Sequence, residues 1–292
     1  MTELRKLLLS LPGKFAFLIG GRKLGRFRPL ILLYGFFYHF LRPRGLILIV
    51  TQGSRMYVAS HDVGVTPYLL EWGTYEQYET ALFRRLVCEG MVVVDVGANI
   101  GYYTLLAAQL VGAQGRVFAF EPDPYNYGML CKNIELNKYR NVVPVEKAVF
   151  AESGKRQLFL DKRNLGGHSL SAANVGEGGV LMVEATSLDD YFDNNNCRID
   201  VVKIDVQGSE LDVLEGMRKT IDRCGSLKII TEFWPVGLRN CGHDPRAFLE
   251  RLIELGFRLY LVGERVELVS VSTLLESCCD GKSLTLLCRK FT

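Results

Sequence analysis

Asp95, Gly97, Gly101 and Glu121 have the types and spacing to do chemistry together. Two glycines fall in a strand-to-helix turn within VVVDVGANIGYYTLL, and Glu121 closes the next strand, 20 residues after Gly101. Glycine in such a turn permits positive φ and lets backbone approach a ligand closely. A carboxylate at the end of the following strand can accept hydrogen bonds from both ribose hydroxyls. The loop reads G-x-x-x-G, whereas a dinucleotide pyrophosphate is cradled by G-x-G-x-x-G. Asp95, two residues before Gly97, repels a pyrophosphate, and no phosphate-binding G-x-x-x-x-G-K-[ST] occurs. A nucleoside bearing an ammonium and a sulfonium suits this loop, which points to S-adenosylmethionine.

Methyl transfer from a sulfonium is an in-line displacement. It needs acceptor, methyl and sulfur held collinear, and a general base adds about 10²–10⁴ in rate when the acceptor is a hydroxyl. The residues to supply that base lie at the carboxyl ends of neighbouring strands. Asp205 ends the strand VVKID and is the first choice; its alternative is a turn or N-cap carboxylate for the following helix. Lys203 either pairs with Asp205 or touches substrate. His168, in the Gly-rich NLGGHSL, offers an imidazole that titrates near pH ~6.5, or else decorates the surface. Ser169 beside it either binds substrate or forms a turn. Glu232 in TEFWP either binds acceptor or cofactor, or is a buried carboxylate satisfied by backbone donors; Trp234 is a cavity wall or core. His39, His61 and His243 show no metal-ligand spacing, so no metal is expected.

These residues need a parallel sheet to bring them together. LILIV (46–50) and RMYVAS (55–60) flank a Gly-containing turn and read as a hairpin. Residues 75–87 have helical spacing. From residue 91 strands and helices alternate: strands at 91–97, 116–122, 142–150, 156–161, 180–185, 199–206 and 227–233, with helices at 102–110, 125–136, 210–221 and 245–255. Apolar runs of this kind imply strands buried on both faces. Two late strands, 257–262 and 284–288, have no helix read between them and are expected to run antiparallel at one edge. The organisation expected is a basic apolar N-terminal extension with hairpin over residues 1–74 and a catalytic domain over 75–292.

The chain resembles the FkbM-type S-adenosylmethionine-dependent methyltransferases. The resemblance rests on DVGANIGYYT (95–104), FEPDP (120–124), NIELN (133–137), KAVF (147–150), GGHSL (166–170), TSLDDYF (186–192), VVKIDVQGSELDVLEGM (201–217) and TEFWP (231–235). It implies a Rossmann-like class I α/β fold, a seven-stranded, mostly parallel sheet with its antiparallel last strand inserted, and helices on both faces. It also implies methyl transfer to a hydroxyl of a polyketide, sugar or other small metabolite. Carried over, Asp95, Gly97, Ala98, Asn99 and Gly101 line the methionine end of the cofactor, and Glu121 takes the ribose. Pro122 and Asp123 continue that wall, and Ala148 passes the adenine. Asp123, ahead of Pro124, is equally placed as a helix N-cap; Asn133 and Asn137 read as structural. Gln207 departs from the family's usual acid, which leaves a second carboxylate at that corner in doubt.

Composition narrows the partners. The net charge of +3 in 292 residues divides unevenly: residues 1–44 carry nine Lys or Arg against Glu3, a surplus of +8, and the remainder sums to −5. An acidic body and the absence of an N-P-P-[YF] or D-P-P-Y tetrapeptide argue against a nucleic-acid acceptor. The apolar run Leu30–Leu41 spans ~18 Å as a helix, short of a ~30 Å hydrocarbon core. Residues 1–44 therefore either pack on the body or make a peripheral membrane or lipid contact. Eight cysteines without Cys-x-x-Cys fit a reducing, cytoplasmic setting. The expectation is a small-molecule O-methyltransferase. N-methylation, a non-catalytic docking module of the same fold and, less well, a dinucleotide oxidoreductase are the alternatives; oligomeric state is left open.

Overall fold

The computed structural model describes residues 45–162, 164–193, 197–278 and 282–290. Expectations for residues 1–44 lie outside the described residues. Strands β1 (Leu46–Thr51) and β2 (Ser54–Ala59) form the expected hairpin. Gln52 and Gly53 at its tip take φ of 50° and 87°, the left-handed pair that a two-residue turn matched to strand twist demands. Helices α1 (Thr66–Trp72) and α2 (Gln77–Leu86) follow.

The alternating section then begins with β3 (Val92–Val96), α3 (Tyr102–Val111), β4 (Arg116–Phe120), α4 (Pro124–Leu136) and β5 (Val142–Val145). Next come β6 (Ala148–Val149), β7 (Gly154–Phe159), β8 (Val180–Thr186), α5 (Leu188–Tyr191) and β9 (Val201–Ile204). Helices α6 (Glu210–Glu215) and α7 (Arg218–Arg223) lead to β10 (Lys228–Phe233), α8 (Pro235–Asn240) and α9 (Pro245–Glu254). The described chain ends with β11 (Phe257–Val262), β12 (Val266–Leu268), α10 (Val271–Ser277) and β13 (Leu284–Lys290).

The main sheet has the order β12-β11-β13-β10-β9-β3-β4-β5. Its centre, β5 to β10, is parallel, while β13 runs antiparallel between β10 and β11. This is the Rossmann-like class I methyltransferase architecture, extended by one short strand, β12, at the edge. Side chains alternate across the sheet: Val93 and Val201 enter the core beneath the hairpin, α3 and α4, whereas Val94, Val96, Val202 and Ile204 enter the opposite core. Asp95 and Lys203, in step with Val93 and Val201, therefore share one face, and they are paired across β3 and β9.

β13 runs antiparallel inside the sheet, as the resemblance implies for the last strand. Three details depart from the sequence expectation. A helix not read from the sequence, α10, capped by the Ser270 side chain and anchored by buried Leu274, lies between β11 and β13 along the chain. The strand expected at 142–150 divides, because Ala148–Val149 leave the main sheet to pair with β8. The helix expected at 210–221 also divides. A Cβ on Gly216 would sit 2.1 Å from the Phe150 carbonyl oxygen, so glycine permits the backbone approach there and the helix breaks around it.

The hairpin is fastened to α4 by two asparagines one turn apart. Asn137 accepts from the Arg55 N–H at 2.8 Å and donates to the Arg55 carbonyl at 2.6 Å. Asn133 does the same for Tyr57, at 2.7 Å and 3.1 Å, and also donates to the Ile100 carbonyl at 2.8 Å. Both are thus structural, as read from the sequence.

Candidate functional site

A cleft opens at the carboxyl ends of β3, β4 and β9, lined by the loop 97–100 and by the turn 205–207 that touches it. Ligand sites of open α/β sheets lie at this edge. The loop is built from glycine-dependent contacts. Gly97 has φ of 78°, and a Cβ there would meet the Asp205 carbonyl oxygen at 1.9 Å; glycine alone lets the two turns touch. Gly97 and Ala98 both donate N–H groups to the Phe120 carbonyl, at 3.0 and 2.9 Å. Gly101, φ 99°, starts α3. Asn99 adopts φ of 50° and donates its N–H to Glu121 at 2.8 Å.

Glu121 is buried with both oxygens engaged, the second accepting from the Asp123 N–H at 2.9 Å. Burial pushes its carboxyl up to about 7, against the pull of those two N–H donors. Asp123 caps α4 by accepting from the Asn126 N–H at 3.0 Å. Burial opposes its ionisation, but His168 and the capping N–H outweigh that and hold it below the usual carboxylate range. Of the two readings of Asp123, the structure shows the helix cap. Pro122 and Ala148 line the cleft on the Glu121 side.

The structure divides the residues read as acid–base candidates. His168 stands with the Glu121 wall: its Nδ1 accepts from the Asp161 N–H at 3.0 Å, and its Nε2 lies 3.7 Å from Asp123. Both ring nitrogens face partners, so the imidazole is held by its loop. Asp205 and Glu232 meet on the other wall. Asp205 accepts from Lys203 Nζ at 3.0 Å and from Gln207 Nε2 at 2.9 Å; the same Gln207 amide donates to Glu232 at 3.1 Å. Gln207, at φ 54°, is thus a neutral donor bridging two carboxylates, a role an acid could not fill while ionised. Ser169 braces the turn by donating to the Gln207 carbonyl at 2.8 Å. Trp234 packs against Gly237, where a Cβ would meet its ring at 2.1 Å.

Lys203 is buried with its Nζ 4.5 Å from the centre of the Tyr103 ring. Burial opposes its charge, yet Asp205, Glu76 and Asp95 raise its pKa overall. Asp95 accepts from Thr104 Oγ1 at 2.6 Å and is raised by burial, with Lys203 opposing. Glu232 is pushed up to about 8 by burial and then by the charge of Asp205.

Two acidic residues belong to this region that sequence reasoning missed. Glu76, at the N-cap of α2, lines the cleft and accepts from the Tyr103 hydroxyl at 2.8 Å. Its only local signal is a φ of 47° ahead of a helix, which the sequence does not display. Glu210 is fully buried and accepts from the Gly208 and Val206 N–H groups at 3.1 and 3.3 Å, pinning the turn that carries Gln207. Among the described residues no His, Cys, Asp or Glu cluster could hold a metal ion.

The glycine loop, the buried Glu121 and the acidic wall together fit S-adenosylmethionine: among the described residues the one buried cation, Lys203, is already paired. Comparison with known proteins points the same way. The chain is 27% identical over 177 residues to Methyltransferase sdnD of Sordaria araneosa, covering 50% of this chain and 68% of that one. It is 28% identical over 134 residues to Hexuronic acid methyltransferase AglP of Haloferax volcanii, covering 46% and 52%. A match to Methyltransferase 1 of Beauveria bassiana, 27% identical over 148 residues, covers 43% of this chain and 57% of the relative; the chain thus spans little more than half of two of these three relatives. A solved SAM-dependent O-methyltransferase of Thermotoga maritima overlays with a TM-score of 0.45 and 14% identity, covering 90% and 82%. The Methyltransferase FkbM domain itself matches residues 95–259, which run from the acid of the glycine loop to the strand beyond the inserted β13. With more than half of its length in that match, the chain belongs to the FkbM family of S-adenosylmethionine-dependent methyltransferases.

Proposed function

We propose that the chain methylates a hydroxyl group of a small metabolite, sugar, lipid or polyketide. The observation that carries this reading is the pairing, across one cleft, of a glycine loop with a wall of carboxylates that can receive a hydroxyl proton. Bound S-adenosylmethionine would supply an electrophilic methyl group. Asp95, Gly97, Ala98, Asn99 and Gly101 would hold its methionine end, Glu121, Pro122 and Asp123 its ribose, and Ala148 would border the adenine. Glu121 has oxygens already oriented by two N–H donors, so a ribose would meet a fixed acceptor.

On the opposite wall Lys203 and Gln207 each donate to Asp205, which fixes that carboxylate toward the cleft. Its remaining lone pairs can orient an acceptor hydroxyl and take its proton. Glu232 lies within the same hydrogen-bonded set and would hold the acceptor's second polar group. His168 serves the cofactor side by holding Asp123, and reaches the acceptor only from that edge. The relative named for hexuronic acid supports a small-molecule acceptor.

The reading is tested by incubating the full chain with methyl-labelled S-adenosylmethionine and panels of sugars, polyketide alcohols, isoprenoid alcohols and amines. Labelled methyl ethers are expected. Label confined to amines would replace O- by N-methylation, and no transfer to any fraction would favour a non-catalytic module. Residues 1–44 we assign to peripheral contact with an anionic membrane. No described helix is long and apolar enough to cross one, and co-sedimentation of the full chain with anionic vesicles, lost on deleting residues 1–44, is the expected result.

A further inference from the structure

Five carboxylates, Glu76, Asp95, Glu121, Asp205 and Glu232, line the same cleft, against two ammonium groups, half-buried Lys147 and buried Lys203. Lys203 is committed to Asp205 at 3.0 Å. A second, smaller recess is walled by Glu76, Lys203, Asp205 and Glu232 as well, so these groups face open space from both sides. Buried carboxylates left without a counter-charge are strongly disfavoured; such groups take up a proton or gain a cation. Their excess here makes the cleft a place for positive charge.

We propose that Glu76, together with Asp205 and Glu232, forms an anionic seat that reads the positive charge by which S-adenosylmethionine differs from S-adenosylhomocysteine. The proposal rests on the assignment of the Asp95–Gly101 loop to the methionine end of the cofactor, since that loop shares the cleft with the seat. Glu76 is the distinctive member. It lies outside the matched family segment, and it is delivered by the cap of α2 rather than by a strand of the sheet.

The groups facing Glu76 come from four elements. Tyr103 of α3 donates to it at 2.8 Å, Lys203 lies on β9 with Asp205 just beyond its end, Glu232 lies on β10, and Glu79 shares its own helix. Burial pushes Glu76 up to about 7, with Lys203 opposing and Asp205 adding to the rise. Near neutral pH the seat therefore holds protons that an incoming cation can displace. Once the methyl group has left, the sulfur is neutral, the attraction is gone, and the spent cofactor is free to depart.

Isothermal titration calorimetry on the full chain tests this without an acceptor. S-adenosylmethionine and S-adenosylhomocysteine are titrated at pH 7.5 in two buffers of different ionisation enthalpy. Proton release is expected with S-adenosylmethionine and much less with S-adenosylhomocysteine. In Glu76→Gln, affinity for S-adenosylmethionine is expected to fall about tenfold relative to that for S-adenosylhomocysteine, the scale of one lost charge interaction. Tyr103→Phe, which leaves the charge in place, is expected to preserve the preference. Equal loss for both ligands in Glu76→Gln, or an unchanged ratio, would overturn the proposal. Failure of the wild-type chain to bind either ligand would instead overturn the cofactor-site assignment beneath it.

Discussion

Replacing Glu210 by Gln should flatten the pH dependence of stability by an amount the structure lets one work out. Glu210 is fully buried; one oxygen accepts from Gly208 and Val206, and the other has no hydrogen-bond partner. Burial raises its carboxyl from the ordinary 4.5 to about 7, the two N–H donors opposing. The folded chain thus holds this proton more tightly than the unfolded chain. The stability it contributes is complete below about pH 4.5 and is lost as pH rises through 7. At about 1.4 kcal/mol per pH unit across that interval, the loss is roughly 3 kcal/mol, a large part of the 5–15 kcal/mol typical of domains.

Glutamine keeps an oxygen for the same two N–H donors and cannot ionise. It adds a fixed penalty for burying its amide, independent of pH. Urea unfolding of both proteins from pH 4.5 to 8.5 supplies the comparison. The gap between the two stability curves is expected to shift in favour of the variant by roughly 3 kcal/mol across that range. Glu76 and Glu121 titrate in both proteins and cancel in the difference, whereas Glu232 loses the repulsion of ionised Glu210, which adds to the shift in the same direction. Parallel curves would show that Glu210 ionises normally in the fold and would refute the reasoning.

Glu121→Ala should weaken S-adenosylmethionine binding at least about tenfold by calorimetry, and unchanged affinity would remove Glu121 from the ribose. Asp205→Asn should keep its affinity for S-adenosylhomocysteine, while methyl transfer to the best acceptor of the panel at saturating S-adenosylmethionine slows by about 10²-fold or more; full activity would exclude it as the base. Gln207→Glu places a third carboxylate between Asp205 and Glu232. It should lower the melting temperature more at pH 8.5 than at pH 5.5, because the added charge is unpaired only when ionised; an equal loss at both values would mean that the amide's donation is not what matters.

What was legible in the sequence was what is local to it. The glycine loop and Glu121 sit in two consecutive strand-to-helix turns, so spacing alone brings them to one edge. The hairpin announced itself through Gln52-Gly53, a dipeptide suited to left-handed φ. Glu76 was illegible because α2 carries it to the cleft through tertiary packing, and nothing in Tyr75-Glu76-Gln77 signals that destination. Gln207 was noticed as a departure, but its meaning depends on Glu232, 25 residues away. The helix at 271–277 was missed because a seven-residue element has too few turns to show a period. The split of 142–150 followed from β6 finding a partner in β8, a long-range pairing.

Asn133 divides the two hydrogens of its amide between the Tyr57 carbonyl of β2 and the Ile100 carbonyl of the glycine loop. One side chain thus joins the first described strand pair to the turn proposed to meet the methionine end. Energetic coupling between two such places is reciprocal: whatever steadies the loop must also steady the hairpin, and a hairpin pulled out of line must loosen the loop. Residue 45 leads straight into β1, so a disturbance at that end of the hairpin would reach the glycine loop by way of the Asn133 amide.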